Sequence, residues 1–130
     1  MKKQSAILIA STLLLAACDG QVAEPDASKP EFRALPGLNN WAMVIPADIP
    51  SDKWRAAARE KCGSADFCGV YGWDNPTDAA QSLPMTDAEV ASQIFSYSVN
   101  RTTGYERALF DCTRVERENR DECGAFGGAL

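Results

Sequence analysis

Five cysteines carry most of the chemistry open to this chain: Cys18, Cys62, Cys68, Cys112 and Cys123. A thiolate is a nucleophile or a metal ligand, and an oxidised pair is a covalent staple. Nucleophilic use needs a base, and the 130 residues include no histidine. Every Ser-His-Asp or Cys-His arrangement within the chain is therefore excluded, as is every His-Glu-x-x-His zinc helix. Four thiolates could hold zinc, but Cys62 to Cys68 and Cys112 to Cys123 are spaced more widely than the usual zinc knuckles. The remaining chemistry belongs to carboxylates: Asp66, Asp74, Asp78, Glu106 and Asp111. A pair of acids can hydrolyse glycosides and a cluster can bind calcium. Asp74 and Asp78 lack the dense oxygen spacing of a calcium loop, and no local spacing forces two acids together. The sequence assigns no catalytic residue, no metal site and no cofactor.

Cys18 stands apart from the other four by its context. Lys2 and Lys3 precede an apolar run, Ala6 to Ala17, which stops at Cys18-Asp19-Gly20. A positive n-region with a short apolar h-region is the pattern of a secretory signal, residues 1–17. A membrane-crossing helix needs about 20 apolar residues, so the run is too short for a comfortable span. Leu15-Ala16-Ala17-Cys18 resembles the bacterial lipobox. That resemblance covers the targeting segment only. It implies cleavage before Cys18, a diacylglyceryl group on its sulfur and a palmitate-type acyl group on the new amino terminus. Two or more chains give stable attachment where one gives marginal binding. Asp19 resembles the retention signal of enteric lipoproteins, which implies the periplasmic face of the inner membrane.

Residues 18–36 are rich in alanine, proline and charge, and read as the lipidated terminus followed by a flexible spacer. Residues 37–130 read as a single small domain. The formal charge is −5, and removing Lys2 and Lys3 takes it to −7. With arginines dispersed, this balance excludes a nucleic-acid partner and a polybasic membrane patch.

In an exported chain the four remaining cysteines read as two disulfides. Sequential pairing, Cys62–Cys68 with Cys112–Cys123, is the simplest pattern. Thr113 and Glu116 could form a capping box, and Glu116/Arg120 and Arg117/Asp121 have helical spacing. Eleven residues of straight helix would separate Cys112 from Cys123 by about 16 Å, and a disulfide needs Cα atoms within about 7 Å. Either the helix is brief or broken, or the pairing is crossed as Cys68–Cys112 with Cys62–Cys123.

The elements that position these residues follow from pattern. Prolines between Leu38 and Pro50 argue for an edge strand or an extended segment. Ser51 caps a helix over 52–61, with Trp54, Ala57, Ala58 and Cys62 on one face. Phe67 to Trp73 is a strand with Phe67, Tyr71 and Trp73 on one side and Cys68 and Val70 on the other. Thr86 and Glu89 form a capping box that opens a second helix running to about Val99. Tyr105 to Cys112 is a strand with Glu106, Ala108 and Phe110 on one face. Arg107 snorkels beside Leu109 on the other. The expectation is a disulfide-stabilised α+β domain: a two- or three-stranded antiparallel sheet with two main helices.

The aromatics are numerous for so small a domain. Trp41, Tyr71, Trp73 and Tyr105 are the candidate binding surface, for an envelope protein or a glycan. The function expected is a membrane-tethered envelope lipoprotein acting by interaction rather than catalysis. The alternatives are a structural or stress-related lipoprotein and a small carboxylate-based hydrolase.

Overall fold

A computed structural model describes residues 28–127. The signal segment 1–17, Cys18 and Asp19 lie outside the described residues.

The sheet has five strands in the order of the sequence: β1 (Glu31–Leu35), β2 (Asn40–Val44), β3 (Phe67–Trp73), β4 (Phe95–Asn100) and β5 (Tyr105–Phe110). β1 and β2 are an antiparallel hairpin, whereas β2 and β3 run parallel. A parallel pair needs a crossover, and helix α1 (Trp54–Cys62) lies within it. β4 and β5 then add as antiparallel neighbours. This corrects the expected two- or three-stranded antiparallel sheet with two main helices. The sheet is mixed and five-stranded, and α1 is its one main helix.

Three local readings fail for identifiable reasons. β2 is an interior strand because Pro46 falls just beyond its end and removes no ladder donor. β1 forms within the stretch that composition gives to the spacer, with Phe32 packed on the core. The helix opened by Thr86 ends at Ser92 as α2 (Asp87–Ser92). Its capping box forms: Glu89 donates its amide to the Thr86 hydroxyl, and the Glu89 carboxylate accepts from the Thr86 amide at 2.8 Å. Beyond Ser92 the chain switches to period two. Phe95, Tyr97 and Val99 are buried and Ser96 and Ser98 half-buried, which suits β-branched and aromatic residues to a pleat.

α1 follows a 3-10 turn at Ser51–Lys53, and Ser51 makes no capping bond there. Trp54, Ala58 and Cys62 face inward at four-residue spacing. The helix ends at Gly63, whose φ of +53° is left-handed, and whose amide donates to the Arg59 and Glu60 carbonyls. Cys62–Cys68 then ties the end of α1 to the start of β3, with Cα atoms 5.7 Å apart.

The sheet has two apolar faces. On the α1 side, Met43, Val70, Phe95, Tyr97, Val99 and Phe110 pack under Trp54 and Ala58. Trp54, Phe95 and Phe110 form an aromatic trio with ring centroids 5.1 to 6.0 Å apart. On the opposite side, Leu35, Ala42 and Trp73 pack under Ala79, Ala80, Leu83 and Met85 of the 74–86 segment. Trp73 donates its indole N–H to the Glu89 carbonyl at 2.8 Å, which seats α2 beside that segment.

The C-terminal segment is a closed loop rather than a helix. Cys112 and Cys123 pair with Cα atoms 5.4 Å apart, so both disulfides are sequential. The Thr113 hydroxyl donates to Asp111 instead of starting a helix. Arg117 pairs with Glu122 and lies 4.1 Å over the Phe110 ring. These contacts replace the expected Glu116/Arg120 and Arg117/Asp121 pairs, and the loop satisfies the distance limit that a straight helix would break.

Candidate binding surface

The four aromatics singled out in the sequence do not share a surface. Trp41 is half-buried on the α1 side, and the Lys61 ammonium sits 3.9 Å over its ring. Trp73 is wholly buried on the other side, so it is a core residue and not part of a surface. Tyr71 is half-buried at the margin of that second core. Tyr105 is exposed at the start of β5.

Register shows what does come together. Phe67 of β3 pairs with Asn100 of β4, which pairs with Tyr105 of β5. Cross-strand partners project to the same face, so Phe67 and Tyr105 flank Asn100. Two inter-strand spacings put their backbones about 10 Å apart. Phe67 is 54% exposed and Tyr105 49%, and they are the two exposed aromatics among the described residues. The next row holds Gly69, Ser98 and Arg107, and the third Tyr71, Ser96 and Leu109. Alternation within β3 places this block on the face of Trp73, opposite α1. The 74–86 segment covers the part of that face over β1, β2 and the Trp73 end of β3, and Tyr71 packs at its edge. Gly124 of the C-terminal segment borders the block at Leu109.

The block has a particular polarity. Tyr71 leans back along its own strand: its hydroxyl lies 3.1 Å from where a Cβ on Gly69 would stand. Glycine is needed there for close approach. The side chains of Tyr71, Ser96, Ser98 and Tyr105 make no hydrogen bond to any described residue. Arg107 is exposed and has neither ion pair nor hydrogen bond among the described residues. None of the nine positions is acidic, in a chain of formal charge −5.

The acids considered in the sequence are dispersed and engaged elsewhere. Glu106 projects to the α1 side, where its Oε1 accepts from both Arg59 nitrogens at 2.9 and 2.6 Å and from the Tyr97 hydroxyl at 2.9 Å. The Arg59 bonds first, then the Tyr97 bond, hold its carboxyl below the usual range. Burial, then the bond to Glu106, pushes the Tyr97 phenol up. The arrangement fastens α1 to β5 through a charge-assisted fork. Burial acts to raise Asp111, but the Thr113 hydroxyl and amide and the Arg114 guanidinium outweigh it and hold the group low. Arg114 also donates to the Ser92 and Gln93 carbonyls, at 2.6 and 3.1 Å, so this pair anchors the C-terminal loop to the end of α2. Among the described residues no three His, Cys, Asp or Glu side chains gather as a metal site.

Two concavities have other owners. One of about 410 Å³ lies within the C-terminal loop, where Arg114 and Arg117 are already engaged by the fold. A shallow groove of about 620 Å³ runs between β1 and α1 past Phe32, Ala57 and Glu60, and Lys61 there is held over Trp41 and Phe32.

Sequence reasoning missed Phe67 and Arg107. Alternation places Phe67 on one strand face with Tyr71 and Trp73 without separating exposed from buried, and Arg107 reads as a snorkelling cation. The signal lay in Ser96 and Ser98: once 95–100 is a strand, those hydroxyls form a polar lane beside Arg107 on the face of Phe67. Comparison of this chain with protein families, with characterised proteins and with solved structures finds no match.

Proposed function

We propose that this chain is a lipid-anchored domain of the bacterial cell envelope that acts by non-covalent binding through the open half of its outer sheet face. One observation carries the binding reading. The two exposed aromatics among the described residues, Phe67 and Tyr105, stand in one row of one face rather than scattered over the surface. Scattered exposed hydrophobes are ordinary, whereas aromatics in one row, edged by polar groups without partners among the described residues, support a recognition surface.

The tether rests on the sequence: Leu15-Ala16-Ala17-Cys18 after an n-region and an h-region. The disulfides Cys62–Cys68 and Cys112–Cys123 suit an oxidising compartment such as the periplasm. No helix of the described residues is long and apolar enough to cross a membrane. Attachment in this reading runs through Cys18, with Asp19 favouring the inner membrane and residues 18–30 giving standoff from the bilayer.

Two measurements test the two parts. Cells fed labelled palmitate should label the wild type and not Cys18→Ser, and an unlabelled wild type would refute the tether. Photoreactive side chains at 67 and 105 should capture an occupant in intact cells, while one at Glu60 on α1 should not. Equal capture from all three sites would refute the binding face.

A further inference from the structure

We infer that the occupant of the open half-face is an acidic glycan: a carbohydrate chain whose sugar faces stack on Phe67 and Tyr105 and whose carboxylate pairs with Arg107. This inference rests on the proposed binding face and adds the chemistry of what fills it. Three properties of the block select the ligand together.

The first is aromatic area without an apolar pocket. Phe67 and Tyr105 present rings on alternate strands, about 10 Å apart at the backbone, with Asn100 between them. A protein hot spot is an aromatic anchor desolvated in a pocket; the concavity at Tyr105, of about 240 Å³, is lined by Asn100, Arg101 and Gly104 of the β4–β5 turn and does not include Phe67. A flat, amphipathic ligand is the better fit, because the C–H face of a sugar ring stacks on an aromatic ring while its hydroxyls remain wet.

The second is hydroxyl supply. Ser96, Ser98, Tyr71 and Tyr105 place on the same block four hydroxyls that have no hydrogen-bond partner among the described residues. Each can donate and accept, which suits the dense, mixed donors and acceptors of a carbohydrate. A lipid surface would leave them without a matching array.

The third is charge. Arg107 follows Tyr105 by two residues on β5, about 7 Å along the strand, and Ser98 is its cross-strand partner. Its guanidinium is exposed and has no ion pair or hydrogen bond among the described residues, in a block without acids. A guanidinium fork recognises a carboxylate in a bidentate manner. A single arginine in a domain of this negative charge does not draw in a polyanion by charge alone. Stacking on the two rings supplies the affinity, and the one guanidinium selects a carboxylate-bearing sugar over a neutral one.

The test uses the full lipidated chain in detergent micelles. The probes are immobilised polygalacturonate, the same polymer after carboxyl reduction, and phosphatidylglycerol vesicles. The wild type should bind polygalacturonate about tenfold more tightly than the reduced polymer, as one charge-assisted contact at an exposed site would give. Arg107→Gln should remove that preference and keep the weaker binding. Phe67→Ser with Tyr105→Ser should abolish binding to both polymers while leaving the melting temperature within a few degrees of wild type. Absence of polygalacturonate binding would overturn the inference. So would equal affinity for the reduced polymer, or binding that none of these variants alters. Vesicle binding that depends on Phe67 and Tyr105 in Cys18→Ser would also overturn it, in favour of a lipid surface. If polygalacturonate fails while photoreactive groups at 67 and 105 still capture a single occupant, the glycan is wrong and the binding face stands.

Discussion

On the α1 side of the sheet, Phe95, Tyr97 and Phe110 are sealed beneath Trp54 and Ala58. On the opposite side the 74–86 segment seals β1, β2 and the Tyr71–Trp73 end of β3, while Phe67 at the other end of β3 and Tyr105 and Arg107 of β5 stay exposed. Both parts of that second face belong to one continuous sheet, so the difference lies in what is laid over them. The α1 side carries the aromatic trio and the fork from Arg59 to Glu106. The open part carries Phe67, Tyr105 and Arg107, which no described residue covers. A domain of this size buries a limited fraction of its surface, and leaving an aromatic row wet forgoes stabilisation on the order of 25 cal/mol per Å². The contrast teaches that the α1 side and the part under the 74–86 segment maintain the fold, and that the row of Phe67 and Tyr105 contributes little to it.

The strongest way to break this comparison is to truncate one ring on each side. Phe110→Ala removes a fully buried member of the trio and should cost about 3–5 kcal/mol. Phe67→Ala should stay within about 0.5 kcal/mol of wild type, as surface changes do. Urea denaturation measures both, and similar losses would show that Phe67 belongs to the core.

A smaller effect separates two glycines on β3. A Cβ on Gly72 would stand 2.9 Å from the Phe95 Cβ and 3.0 Å from the Ile45 Cδ1, inside the α1-side core. On Gly69 it would meet the ends of Asn40 and Tyr71 at 2.9 and 3.1 Å. Core atoms cannot retreat, whereas the ends of side chains on the other face can swing outward. Gly72→Ala should therefore cost about 1–3 kcal/mol, and Gly69→Ala less, while it displaces the Tyr71 phenol and weakens binding. A larger loss at Gly69 than at Gly72 would reverse the roles assigned to the two faces.

The smallest effect concerns pH. Arg59, then Tyr97, holds the Glu106 carboxyl below its ordinary value. A carboxylate held lower in the folded chain contributes stability that is complete above the unfolded value of about 4.3. That stability is lost as pH falls through the lower folded value. Thermal melting between pH 7 and pH 2 should fall more steeply for wild type than for Glu106→Gln, and the two curves should approach each other in acid. Parallel curves would show that the fork contributes nothing to the α1 side.

The parts of this fold legible in the sequence are those fixed by local chemistry. The apolar spacing of Trp54, Ala58 and Cys62 identified α1, and Thr86 with Glu89 identified the start of α2. Alternation identified β3 and β5. The errors came where two local signals competed or where partners were distant. The capping box at Thr86 was extended through Phe95 to Val99, although Ser96 and Ser98 already alternated with the apolar residues. Charges four apart suggested a helix after Thr113, but the Cys112–Cys123 closure and the Asp111 turn prevail. β1 and β2 were obscured by neighbouring prolines and by spacer-like composition, and only pairing with β3 makes β2 interior.

The proposed binding face is half legible in the sequence for a related reason. Tyr71 and Tyr105 were picked out by type, and both belong to the open block. Trp41 and Trp73 were picked out equally, yet one lies under Lys61 on the other face and the other lies beneath the 74–86 segment. Burial of an aromatic depends on which loop crosses it. That is set by the path of a segment with no periodic pattern of its own.

Ring-proton NMR of the full chain in micelles, titrated with polygalacturonate, tests the division of labour most directly. Phe67, Tyr71 and Tyr105 resonances should shift while those of Trp54, Phe95 and Phe110 remain in place. Shifts centred on the α1-side trio, or no shift at any of the six rings, would contradict it.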